Sequence, residues 1–182
     1  MNQLKITIAL ILAVLLQWTM RNVAEPFAYV DFPLIIVVYA ALQRDAVKAI
    51  LFGAFSGIAI DALSGGLLGA NGFSKTLIAY AVSELARRVY MDNLLLRIPV
   101  IAGACLLDDL VYFGLHRLFG QEPSGSVLMT VSYSIIGTTI AGTIMYLILD
   151  YFLSDRVRSS RRKDMFPQRR QSRRRNPIRL SK

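Results

Sequence analysis

Hydrophobic positions in this chain come in long blocks separated by short polar breaks, with no strand-like alternation. Six apolar segments stand out, at about 4–20, 30–43, 46–63, 72–88, 97–119 and 127–153. A hydrocarbon core about 30 Å thick needs roughly 20 helical residues to cross it. Five of the segments approach that length, and the second is short for it. The pattern predicts an all-α integral membrane protein: a six-transmembrane-helix bundle over residues 1–153. Pro33 falls in the first turn of the second segment, where its missing N–H does no harm. Lys5 and the apolar run Ile6–Leu16 are followed by QWTMRN, with no small-x-small cleavage site, which predicts a retained first helix. The breaks between segments are too short for an extramembrane domain.

Within the blocks, small residues recur every four positions. Gly53, Gly57, Asp61 and Gly65 form one slowly winding stripe. On the sixth segment Thr130, Ser134, Thr138 and Gly142 do the same, with Gly137 and Ala141 beside them, and Ala9 and Ala13 give a weaker match on the first. Such stripes let another backbone come close. That neighbour is either a helix of this chain or a partner helix, and Gly53, Gly57, Asp61, Gly65, Thr138 and Gly142 are the candidate packing positions. On the partner reading, a bulky residue at Gly57 blocks association and leaves membrane insertion intact.

Composition agrees with a membrane location, since 54% of the residues are hydrophobic, above the usual soluble range. The formal charge of +9 is unevenly placed. Residues 154–182 carry twelve Lys/Arg and two Asp/Glu, so the body is close to neutral and the tail strongly basic. The tail is expected to be disordered. Its arginines (Arg161, Arg162, Arg169, Arg170, Arg173, Arg174 and Arg175) are candidates for contact with anionic lipid or a cytoplasmic filament. Nucleic acid is disfavoured as a partner, because Phe166 alone offers no stacking platform.

Basic residues also set an expected orientation. With both ends cytoplasmic, Lys5, Arg44, Lys48, Arg87, Arg88, Arg97 and the tail lie inside, and only Arg21, Lys75 and Arg117 lie outside.

Ionisable residues inside membrane segments are costly and mark candidate sites. Asp61 and Lys75 flank one short turn and are expected to pair, or to share a cluster with Asn71. Asp108 and Asp109 lie well inside the fifth segment, with His116 seven residues beyond Asp109 on the same face. These residues serve a proton path or substrate site, or else form a polar plug. Glu84 with Arg87 and Arg88 has the spacing of a helix-surface ion pair. No Ser/His/Asp set, metal-binding cluster or phosphate loop is present in the sequence, so neither an enzyme nor a cofactor is expected. Cys105 is alone, among apolar residues.

Two stretches, DFPLIIVVYAALQRD (31–45) and GAFSGIAIDALSGGLLGANGFSKTLIAYAVSELARR (53–88), together with the six-segment layout, resemble the bacterial rod shape-determining protein MreD family. Asp31, Pro33, Tyr39, Asp61, Gly69 and Tyr80 occupy the places that carry the likeness. The resemblance implies a non-catalytic scaffold of the cell-elongation complex in the bacterial inner membrane, required for cell shape and lateral peptidoglycan synthesis. Its implied partner is an MreC-like single-pass protein. Through that protein it would reach an MreB-like filament, a RodA-like glycosyltransferase and a class B penicillin-binding transpeptidase. The family's fold is similar to that of the substrate-binding S components of energy-coupling-factor vitamin transporters, which supplies the alternative function.

Overall fold

The computed structural model of the chain describes residues 2–23, 29–89, 94–120 and 126–153. Six helices joined by short turns make up these residues: α1 Asn2–Val23, α2 Phe32–Ala41, α3 Ala46–Ser64, α4 Ala70–Arg88, α5 Leu94–Leu118 and α6 Val127–Leu153. The described residues up to Ile148 form one compact unit. The tail arginines 161, 162, 169, 170 and 173–175 lie outside the described residues.

Each boundary has a local cause. Asp31 caps α2 by accepting from the Leu34 N–H at 2.8 Å, and Pro33 stands in the first turn. Asp45 caps α3 by accepting from the Lys48 N–H at 3.4 Å. The Lys48 ammonium also bonds the Asp45 carboxylate and holds it below the usual carboxylate range. Gly65 ends α3 with φ +65°, a left-handed conformation that costs a glycine little, and its N–H donates to the Asp61 carbonyl at 3.1 Å.

Among the described residues, three helices are long and apolar enough to cross a membrane: Ala46–Ser64, Leu96–Leu118 and Val127–Leu149. The first helix has an apolar stretch of 17 residues, Leu4–Met20, and α2 has only ten. Every residue of α2 from Pro33 to Ala41 is buried, so this short helix is the centre of the unit. α1 covers it with Ile6, Leu10, Ala13 and Val14, which recur at helical spacing.

α3 is arranged inside out by the standards of a water-soluble helix. It buries Ala49, Gly53, Ser56, Gly57 and Asp61, and it exposes Leu51, Phe55 and Ile58, with Phe55 68% exposed. Turning large apolar side chains outward is favourable only against hydrocarbon, and burying small ones lets helices approach closely. The neighbour is α4. A Cβ added at Gly57 would lie 2.4 Å from the Asn71 carbonyl, and one at Gly53 would lie 2.7 Å from the Lys75 oxygen. Gly72 meets Ile58 from the other side.

The stripe on α6 is also filled from within the chain. A Cβ at Gly142 would approach Ile101 and Ile35 at 3.0 and 3.4 Å, and one at Gly137 would approach Val30 at 3.1 Å. Thr138 is fully buried, and its Oγ1 accepts the Asp31 N–H at 3.1 Å. Of the two neighbours left open for Gly53, Gly57, Thr138 and Gly142, the structure shows helices of this chain packed against those positions. Gly65 serves as a helix end with open space around it.

Candidate functional site

The polar residues converge where α2 and α4 begin. At its centre is Lys75, in the second turn of α4 and fully buried. Its Nζ bridges two carboxylates, Asp31 at the start of α2 and Asp108 in the middle of α5, the latter at 2.8 Å. One ammonium thus ties three helices together. Asp108 is further held by the Ser74 hydroxyl, which also lies 3.1 Å from the Asp108 carbonyl oxygen. A buried charge is tolerated only when it is paired and hydrogen-bonded, and these carboxylates meet that condition. The start of α2 is fastened on two more sides. Phe32 N–H donates to Gln17 of α1 at 3.0 Å, and Asp31 N–H donates to Thr138 of α6.

The expected Asp61–Lys75 pair does not form. Asp61 is 2% exposed, and its carboxylate accepts from the backbone N–H groups of Gly69 (2.8 Å), Asn71 (3.1 Å) and Gly72 (3.3 Å), and from Asn71 Nδ2 (2.7 Å). The reason is the turn. Gly69 occupies the N-cap of α4 with φ +95° and has no side chain to satisfy the helix's first N–H groups. Asp61 supplies the missing acceptor from the end of the preceding helix, where the α4 dipole also favours a negative charge. The Asp61–Asn71 association expected from the sequence is present. Lys75, placed by its sequence position in an outer turn, is inside the protein.

Asp109 points elsewhere than its neighbour. Its carboxylate lies beside the Ser134 hydroxyl and 3.9 Å from the Cys105 thiol, and Cys105 lies 3.3 Å from that hydroxyl. His116 is buried one turn beyond Tyr112, with its ring 4.2 Å from the Tyr112 ring and its Nδ1 3.0 Å from the Tyr112 carbonyl. A carbonyl only accepts, so this contact places the proton on Nδ1. The shared face of Asp109 and His116 does not bring them into contact, and His116 does not line the cavity described next.

That cavity, of about 200 Å³, opens beside the ionic centre. Asp31, Asn71, Asp108 and Asp109 line it together with Gln17, Ser134, Thr130 and the rings of Tyr29, Tyr112 and Phe113. Among the described residues, no group of three or more His, Cys, Asp or Glu side chains is placed to hold a metal ion.

Asp31 is the member that sequence reasoning placed on the family likeness and not in the polar cluster. Its signal was the Asp-Phe-Pro step, which marks a helix start. Nothing local connects that step to a lysine 44 positions away. Ser74 carried no signal at all. At the far end of α4, Glu84 and Arg88 form the expected surface pair at 3.1 Å.

Comparison with known proteins gives one family. The model described as rod shape-determining protein MreD matches residues 1–156. No curated protein and no solved structure matches the chain.

Proposed function

The chain belongs to the MreD family of rod shape-determining membrane proteins, and from that premise we propose that it is a non-catalytic scaffold of the bacterial cell-elongation complex. In this reading it crosses the inner membrane six times with both termini in the cytoplasm. It binds an MreC-like single-pass protein and, through it, serves lateral peptidoglycan synthesis. The observation that carries the reading is the family match over 156 of 182 residues. The inside-out α3 supports a lipid setting, and the positive-inside bias of the loops supports the orientation even with Lys75 removed from the outer count.

The glycine stripes are consumed by the chain's own helices, so contact with a partner helix falls to the exposed apolar faces. One such face is the α6 row Met129, Tyr133, Ile136 and Ile140. The basic tail is assigned to anionic lipid at the cytoplasmic surface.

Affinity purification from bacterial membranes in mild detergent, with mass spectrometry of the recovered proteins, tests the proposal. Recovery of an MreC-like protein together with cell-wall synthases supports it. Recovery of a transmembrane coupling protein with ATPases removes it in favour of a transporter component.

A further inference from the structure

The end of α3 that carries Asp45 gathers basic side chains from three neighbouring stretches. Arg44 stands in the turn after α2, Lys48 in the first turn of α3 and Arg87 in the last turn of α4, and all three are exposed. The Ser83 hydroxyl donates to the Ala41 carbonyl at 3.4 Å, which lays the end of α4 against the end of α2. Arg87 is one helical turn beyond Ser83 and so faces the same α2–α3 turn. Lys48, and less strongly Arg87, hold the Asp45 carboxylate below its usual range. Three basic side chains against that one carboxylate give the turn a net charge of +2. Glu84 does not lower it, since Glu84 pairs with Arg88.

An apolar row starts at this cluster. Val47, Leu51 and Phe55 are each half exposed or more and follow one another at four-residue spacing, with Lys48 on the same side of the helix. α3 is long and apolar enough to cross a membrane, so the row runs from the membrane surface into hydrocarbon. The other end of α3 exposes Leu63 and, in the turn beyond, Leu68, but no Lys or Arg lies between Ala49 and Ser74. A charge bias across the bilayer sets the side on which basic residues lie. It does not gather them round one helix end beside an apolar row. A soluble acidic partner would answer the charge and leave the row uncovered. An anionic lipid answers both, since its phosphate stays at the surface while its chains lie along the helix. We propose that this end of α3 binds an anionic phospholipid, with the phosphate among Arg44, Lys48 and Arg87 and an acyl chain along Val47, Leu51 and Phe55. The site is separate from the basic tail and from the scaffold reading, and it can fail without either.

The test uses the full-length protein in phosphatidylethanolamine nanodiscs. A trace lipid with a photoactivatable acyl chain is added, either a phosphatidylglycerol or a phosphatidylethanolamine, and peptide mass spectrometry maps the labelled residues. Labelling by the phosphatidylglycerol concentrated at residues 47–55, about tenfold above that by the phosphatidylethanolamine, is the expected result. Arg44→Gln together with Arg87→Gln should lower it to the phosphatidylethanolamine level. Lys5→Gln together with Arg117→Gln removes as much charge from exposed positions elsewhere and should leave it unchanged. Labelling spread evenly over the exposed faces of α1, α3 and α6 overturns the proposal, as does equal labelling by the two lipids. No fall in the Arg44 and Arg87 variant overturns it too, and so does an equal fall in both double variants, since net charge alone would then attract the lipid. If the Arg44 and Arg87 variant does not fold, the headgroup comparison and the labelling map in the wild type decide alone.

Discussion

The α3–α4 seam and the α6 contact start from the same sequence device and end as different kinds of structure. Both present small residues four positions apart, Gly53 and Gly57 in one and Thr138 and Gly142 in the other. At Gly53 and Gly57 the neighbour is backbone, the carbonyls of Lys75 and Asn71. At Gly137 and Gly142 the neighbours are the methyl groups of Val30, Ile35 and Ile101. Backbone cannot move aside without breaking its own helix, whereas a side chain can change its position by a few tenths of an ångström. The spacing of small residues therefore tells where a helix packs but not how rigidly. It does not distinguish a neighbour in the same chain from one in another.

The seam is also where the charges are fixed. The backbone of Lys75 lies against Gly53 while its side chain bridges Asp31 and Asp108, so helix approach and ion pairing are one arrangement. α6 is tied by hydroxyls, from Thr138 to the Asp31 N–H and from Ser134 to the Cys105 thiol.

Substitutions in the two regions should differ accordingly, measured as folding stability of the purified protein in detergent. Lys75→Met should have the largest effect, about 3–5 kcal/mol, because it leaves the buried Asp108 and the half-buried Asp31 carboxylates without their counter-charge. Gly57→Leu should destabilise by about 3 kcal/mol or more, since its Cβ alone collides with the Asn71 carbonyl. The outcome to check is loss of folded, monodisperse protein and not selective loss of a partner. A Gly57→Leu protein that folds normally but no longer recovers the MreC-like protein would restore the external-groove reading. Asp61→Ala should cost about 2 kcal/mol, as the first N–H groups of α4 lose a charged acceptor. Hydrogen exchange should show the loss concentrated at residues 69–72. Gly142→Ala should be the mildest, about 1 kcal/mol or less, because Ile101 and Ile35 can give way. If it matched Gly57→Leu, the contrast between the two seams would be wrong.

Much of this architecture was legible in the sequence. The six helices were marked by apolar blocks, and their ends lie within three residues of expectation because Asp31, Asp45 and Gly65 are local signals that act on adjacent backbone. The second segment was read as short, and it is shorter still, Phe32–Ala41. The candidate site was legible as a set of residues but not as a set of pairs. Asp61 was matched with Lys75 because the two flank one turn, yet the bare N-cap at Gly69 makes a stronger local demand on that carboxylate. Lys75 is left to find partners 44 and 33 residues away. Such pairings depend on which helices become neighbours, and helical spacing within each segment carries no record of that. His116 shows the same limit, since sharing a face with Asp109 did not bring them into contact.

The most direct test of the Lys75 bridge is a double-mutant cycle between Lys75→Met and Asp108→Asn, read as unfolding free energy in detergent. If the ammonium joins α4 to α5 as described, the double variant should be clearly more stable than the sum of the two single losses predicts, with a coupling of at least about 1 kcal/mol. Strictly additive losses would mean that Lys75 and Asp108 do not meet in the folded protein, and the bridge at the centre of this site would have to be abandoned.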